Sequence, residues 1–525
     1  MEPPVLYGSG GRFLCALHTF AVRVNMARNM ESSQPTPAGY KWLDLASGGV
    51  LMVLTVFLAW AFGVNGLPWA LWTVRVLGWT LLLLLLGKWM ICHFQGYRRP
   101  FHGRNEGARW PVIMLAVLTL LILLWVLISG LNPRADATFT RKATDYSFVV
   151  LNYKESYITY LPHTYDQTAT RSVFLTYTAL AGAFWAARHW FTGYSRRERH
   201  AASALPVGHL PDRMRWWLWL IILNAVALSL VGVIQKLDGT KNLLWLMPWG
   251  KDTTLEMPFG PFLYRANAAQ YFNLIWPTAL GFWWLLRHRA LEANPNQPLG
   301  SDASVTLLPI TGLLAASPAV ALTRGGTILS VILLIASAVI FVTGRTRLRP
   351  ATRLGLSITL LGALALIVVV AGRDLRARFE RQDYSTLNGR SQMAAVGYRM
   401  AGDFRWLGSG PETIPAIYHL YRETPNDTDL SEGYLHNDWL ETWVTFGWIG
   451  GSLVFGALIL IPLIWWLGRG TVSPGIFCPQ LFVSLGGMLL HASFDFPFQV
   501  VALLGTWLLM AALLTSFSHS RRTDR

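Results

Sequence analysis

The chain has 525 residues, of which 53% are hydrophobic and 14% charged, with 25 Trp and a formal net charge of +16. A soluble domain carries roughly a quarter charged residues, so this composition excludes a soluble globular protein and points to a polytopic membrane protein. Three scattered cysteines, Cys15, Cys92 and Cys478, form no CxxC pair, which excludes a disulfide scaffold, a zinc ribbon and an iron–sulfur ligand set.

Residues 1–40 lack an apolar stretch with a small-residue cleavage site and end in Ser32-Ser33-Gln34-Pro35-Thr36-Pro37. The expectation is a tail, 1–43, without a cleavable signal peptide, the first span itself acting as targeting signal. A bilayer span needs about 20 mainly apolar residues. Twelve segments qualify, near 44–64, 67–91, 110–131, 171–191, 214–236, 263–286, 305–322, 325–343, 354–372, 444–467, 477–495 and 498–516. An even number places both termini on one side. The connections on that side hold Arg98-Arg99, the cluster Arg196, Arg197 and Arg199, and Arg345, Arg347 and Arg349. The positive-inside rule makes that side cytoplasmic. Much of the excess charge is therefore a topology signal, and not the footprint of a nucleic-acid partner.

Two connections on the opposite side are long, 132–170 and 373–443. Loops above about 15 residues are uncommon unless functional or disordered. The second is too aromatic for disorder, with Phe379, Tyr398, Phe404, Trp406, Tyr418, Tyr421, Tyr434 and Trp439 among its residues, so a folded cap on the helices is expected. The organisation is thus a tail (1–43), nine spans with an outer loop (44–372), the large loop (373–443), and three spans with a second tail (444–525).

The large loop is unevenly charged. Its first part, 373–405, holds Arg373, Arg376, Arg378, Arg381, Arg390, Arg399 and Arg405 and no Lys; its second, 406–443, holds Arg422 against seven acids. Arg is favoured over Lys where a planar fork must hold phosphate oxygens at two points, whereas most surface arginines are simply solvated or lie against headgroups. Arg324, in Thr323-Arg324-Gly325-Gly326, stands between two apolar segments, where a charge is expensive unless it snorkels to the headgroups or serves a ligand; its glycines permit close approach of backbone or ligand. Arg265 has the same two readings. His436, before the tenth span, has the chemistry of a general base, with Glu432 or Asp438 as an orienting carboxylate, or it is a structural helix-start residue. Asp427-Thr428-Asp429 has the Asp-x-Asp form that holds a divalent metal against a diphosphate, a pattern that also arises by chance. His491 and Asp495, four apart, lie on one helix face; they are either a proton-handling pair or a satisfied interior pair, and the second is the preferred reading. Arg75 lies deep in the second span with no assigned role.

Gly232-Val233-Ile234-Gln235, Arg265-Ala266-Asn267-Ala268-Ala269, Thr323-Arg324-Gly325-Gly326, Asn388-Gly389-Arg390 with Gly408-Ser409-Gly410-Pro411, His436-Asn437-Asp438-Trp439-Leu440, Phe446-Gly447-Trp448-Ile449-Gly450 and His491-Ala492-Ser493-Phe494-Asp495-Phe496-Pro497 follow one another in this order. The ordered set, over about residues 225–515, resembles the bacterial O-antigen ligase and O-antigen polymerase superfamily. The resemblance implies an all-α, GT-C-like membrane fold of about 12 helices in the bacterial inner membrane, with the active site facing the periplasm. It implies an inverting glycosyltransferase that needs no metal and no cofactor. Its donor would be a glycan on undecaprenyl pyrophosphate, and its acceptor a hydroxyl on a glycan, lipid or protein. Carried over by position, Arg324 and Arg390 grip the pyrophosphate and His436 is the base. Arg265, where the family often has Asn, is the third candidate cation.

Two readings stand beside this one: a transporter or flippase for polysaccharide or lipid-linked sugar, and a metal-dependent lipid-sugar transferase using Asp427 and Asp429. Against the first, no pair of related halves with broken helices is visible. The charge pattern makes a test. An impermeant thiol reagent applied to intact cells should label a cysteine introduced at Ser409 and miss one at Ser518; the reverse pattern would refute the topology.

Overall fold

The computed structural model describes residues 35–64, 67–97, 108–141, 147–195, 197–198, 210–240, 242–248, 258–294, 304–343, 384–421, 433–468 and 475–517, with isolated positions 356, 358, 359, 362 and 365. The helices are α1 (Ala38–Trp60), α2 (Pro68–Phe94), α3 (Arg109–Leu131), α4 (Gln167–Phe191), α5 (Asp212–Asp238), α6 (Arg265–Ala293), α7 (Leu307–Val320), α8 (Arg324–Thr343), α9 (Tyr384–Asp403), α10 (Asp438–Gly468), α11 (Phe477–His491) and α12 (Val501–Ser516). Eleven of them fall on segments read as spans from the sequence. By length and composition, α1, α2, α3, α5, α8 and α10 can each cross a bilayer, while α7, α11 and α12 are shorter apolar helices. The ninth expected span, 354–372, lies almost wholly outside the described residues.

Local chemistry sets several boundaries. Pro68 opens α2 at a position where its missing N–H costs nothing. Asp166 caps α4 by accepting from the Ala169 amide at 3.0 Å, and Asn437 caps α10 by accepting from Leu440 at 3.0 Å. Gly239 ends α5 in the left-handed conformation. The lipid-facing surfaces are unmistakable: α3 alone exposes Met114, Val117, Leu120 and Leu124, a patch that water does not tolerate. The chain is a polytopic, mainly helical membrane protein.

Both long loops carry structure of their own, and the first departs from an all-helical reading. The first of them forms an antiparallel hairpin, β1 (Ala135–Arg141) with β2 (Ser147–Tyr153), in register Ala135 to Tyr153. The second carries α9 and a short helix, Ile414–Ile417. Hairpin, loop and the start of α10 share a small core of Ala135, Tyr165, Met400, Ile417, Leu435 and Val444, separate from the main core of the bundle.

The loop is also stitched to α10. Gly447 interrupts that helix with a φ of 66°, so the carbonyls before it are released. Ser409 and Gly410 donate to Val444 and Thr445 at 2.9 and 3.0 Å, while Trp448 and Ile449 donate back to Arg405 and Trp406 at 2.7 and 3.2 Å. A side chain at Gly408 or at Gly447 would strike the opposing backbone. Two of the glycine motifs noted in the sequence are thus the two halves of one crossing.

Helix packing in the bundle relies on small residues. Gly78 of α2 lies against the carbonyl of Ala179, and Gly182 of α4 lies against Leu82, the close approach that favours small side chains in membranes. The same contact answers Arg75: its guanidinium donates to the Ser172 carbonyl at 2.8 Å and to Thr176 Oγ1 at 3.1 Å, and it lies 4.9 Å from the Trp72 ring centroid. Elsewhere α6 and α11 run antiparallel, fixed where the Thr278 amide and hydroxyl meet Ser484 Oγ at 3.0 and 2.8 Å and Gly281 meets Gln480.

Gly78→Val should push α2 from α4 and pull Arg75 off its hydroxyls. A loss of roughly 1–3 kcal/mol is expected for such overpacking, read as a lower melting temperature in detergent. Gly49→Ala, which meets nothing within 4 Å, should leave melting unchanged. Equal behaviour of the two would sink the packing argument.

Candidate active site

The site is built around the turn between α11 and α12. His436 Nδ1 lies 3.3 Å from Asp495 Oδ1, and His491 Nε2 lies 3.7 Å from Asp495 Oδ2. All three side chains are buried. His436 itself adopts a left-handed backbone, φ 50°, a strained conformation for a residue with a side chain. The strain is held by its surroundings. The next residue but one, Asp438, binds the turn through the Phe498 amide at 2.8 Å and Gln499 Nε2 at 3.2 Å, and its own amide donates to Ala492 at 2.9 Å. Glu441 accepts from the Leu435 amide at 3.0 Å. Phe496 packs edge-on to His436 at 4.8 Å and is stacked by Tyr434 and Tyr264.

The candidate arginines reach the same turn. Arg390 Nη1 donates to the Phe494 carbonyl at 3.2 Å. Arg324 is the first residue of α8, and the next, Gly325, lies against the Phe494 ring. Arg265 is the first residue of α6, directly after Tyr264, which stacks on Phe496 at 5.8 Å. The turn therefore gathers the segments that bear all four nominated residues.

Several expectations need correction. The carboxylate beside His436 is Asp495, not Asp438, which is spent on the turn; Glu432 lies outside the described residues. α11 ends at His491, so His491 and Asp495 meet across a helix end and not on one helical face. The glycines after Arg324 admit protein and not ligand: Phe494 fills the space at Gly325, Ala269 and Thr323 that at Gly326. Arg373, Arg376, Arg378, Arg381, Asp427 and Asp429 lie outside the described residues. Sequence reasoning missed the His436–Asp495 contact because 59 residues separate the two and no local spacing encodes it.

Electrostatics differ across the site. Burial opposes ionisation of Asp495, yet the His436 and His491 donors, with the positive charge of Arg390, hold its carboxyl below the usual range. Glu412 has the opposite balance: burial raises its pKa, with Asp166 nearby adding to the effect and the Tyr434 hydroxyl opposing it. Glu412 and Glu441 are among the residues that line a mainly apolar cavity of about 220 Å³ between α3, α4, α10 and α12.

A family model was found for one part of the chain. Residues 310–455 match the O-antigen ligase family. The match takes in Arg324, Arg390 and His436 and stops before His491 and Asp495. It bears out the superfamily resemblance read from the motif order, and it supports a membrane ligase or polymerase of glycosyltransferase type that works on lipid-linked glycans. No curated protein matches the chain.

The two carboxyls give a signed test of the electrostatics around this turn. A carboxyl with a depressed pKa contributes stability above its unfolded value of about 4, lost as pH falls through the folded value. One with a raised pKa opposes folding at neutral pH, and the penalty disappears on acidification. Asp495→Asn should therefore lower the melting temperature at pH 7, and Glu412→Gln should raise it, both differences shrinking toward acid pH. Melting curves across the pH range check this, and a shift of the same sign in both variants would contradict it.

Proposed function

We propose that the protein transfers a glycan from undecaprenyl pyrophosphate to an acceptor hydroxyl, with inversion at the anomeric carbon, at the periplasmic face of the inner membrane. The observation that carries the reading is His436 held by buried Asp495 on the turn that Arg390 also grips. Asp495 accepts from Nδ1–H of the neutral imidazole, so the lone pair is on Nε2, the tautomer a general base requires. Nε2 takes the proton of the acceptor hydroxyl as its oxygen attacks the anomeric carbon. The bond to the pyrophosphate oxygen breaks on the opposite face, and one displacement inverts the centre.

Negative charge grows on the departing pyrophosphate. Guanidinium groups already in position stabilise it without reorganisation, and Arg324, Arg390 and Arg265 are the groups assigned to that task. Because Asp495 stays ionised, the imidazolium formed at His436 is neutralised where it arises. The leaving group is good, so a single base suffices and no metal is invoked. Large-loop and helix-start residues share the work: the loop supplies Arg390 and leads into His436, while α6 and α8 begin at Arg265 and Arg324.

Purified protein incubated with a lipid-linked oligosaccharide and three acceptors (a lipid A core, a second lipid-linked glycan, a protein) tests the reading and identifies the acceptor. His436→Ala should reduce turnover by roughly a hundredfold or more, the usual size of a general-base contribution, with donor binding kept. Arg324→Lys and Arg390→Lys keep charge but lose the two-point fork, so both binding and turnover should suffer, whereas Arg399→Lys, exposed on α9, should behave as wild type. Near wild-type transfer by His436→Ala in correctly inserted protein would remove the base and leave the resemblance as evidence for fold only.

A further inference from the structure

The reaction outlined above leaves unused a set of buried polar atoms beside the turn. Asn267 and Gln270 lie in the first two turns of α6 and are 3% and 2% exposed. Among the described residues, neither amide atom of Gln270 has a hydrogen-bond partner, nor does Asn267 Oδ1 or His491 Nδ1. Buried groups of this kind are destabilising and rare in native interiors, so four together ask for a ligand.

Helix register puts them in one place. α6 and α11 are antiparallel and pinned at Thr278 and Ser484. Two further turns, about eight residues, bring Gln270 level with the end of α11 at His491, and Asn267, one turn earlier on α6, lies toward the turn that follows it. Asn267, Gln270, Thr278 and Gly281 lie on one side of α6, and Thr278 and Gly281 are the ones that touch α11. The adjoining side of α6 reaches the start of α8, where Ala269 meets Gly326 and Asn273 Nδ2 donates to the Gly326 carbonyl at 2.8 Å. The unmatched atoms therefore collect between the first turns of α6 and α8 and the turn that holds His436 and Asp495.

Their chemistry is not that of a phosphate site. A diphosphate offers only acceptors and attracts cations, which the arginines supply. Amides and an imidazole offer donors and acceptors without net charge, which matches a group that does both, a sugar hydroxyl or an N-acyl substituent. We infer that Asn267, Gln270 and His491 bind the sugar attached directly to the diphosphate of the lipid donor, and so select glycosylated lipid over the bare lipid diphosphate. The inference rests on the glycosyl-transfer reading, in which the diphosphate lies on the neighbouring arginines.

Gln270→Met and Asn267→Leu in the full-length protein test it, because removing an unmatched buried polar group and removing a ligand contact have different signatures. Without donor, the melting temperature of each variant should stay level or rise. With donor, KM should increase roughly tenfold or more, the loss expected when a site built to hydrogen-bond a hydroxyl can no longer do so. Inhibition by undecaprenyl pyrophosphate that carries no sugar should be unchanged. A lower melting temperature with unaltered KM would show that the amides are structural or hold internal water, and would overturn the inference. Equal weakening of glycosylated and bare lipid would overturn it too, assigning these residues to the diphosphate. If wild-type protein transfers no glycan, or Arg324→Lys and His436→Ala leave transfer intact, the parent reading fails and takes this site with it.

Discussion

Asp438 is the residue on which the site depends. The turn between α11 and α12 is irregular backbone set among helices, and irregular backbone in a membrane protein must have its polar groups met by protein. Asp438 meets the Phe498 amide and the Gln499 side chain, and its own amide caps Ala492. Leaving such buried groups unmatched costs about 1–3 kcal/mol each. With the turn fixed, Asp495 accepts from the Phe496 amide at 3.1 Å and faces His436, Phe494 presents its carbonyl to Arg390, and Trp439 Nε1 reaches Ser493 at 3.1 Å. One acid adjacent to the base motif thus sets the position of another that lies 57 residues later in the chain.

Charge is sorted around this turn. Guanidinium-bearing segments arrive from α6, α8 and α9, and carboxylates cluster on the side of α10 where Glu412 and Glu441 line the apolar cavity. The opposite end of the bundle uses a different device. There Asp44 is shared by Lys88 at 3.5 Å and by Arg213, an ionic group that ties α1, α2 and α5 beside a cavity that Asp44 and Arg213 both line.

Much of the helical layout was legible in the sequence, because a bilayer demands long apolar runs and basic connections, both one-dimensional signals. Arg324, Arg390 and His436 were also nominated from sequence, and the structure brings their segments to one turn. What was not legible is long-range pairing. Asp495 as the partner of His436, the crossing of Gly408 with Gly447, and the unmatched amides of Asn267 and Gln270 all depend on how distant helices register, which composition and spacing do not encode. The β1–β2 hairpin was hidden for another reason: alternation over so few residues, in a loop, is weak beside the spans around it.

The crossing at Gly447 also limits how anything can reach His436. Four backbone hydrogen bonds join residues 405–410 to the two sides of the break in α10, each worth about 0.5–1.5 kcal/mol net, and neither glycine leaves room for a sliding adjustment. A hinge at that point would have to break the whole ladder at once. Residues 405–410 and α10 therefore travel together, as one rigid unit leading into the turn that holds His436.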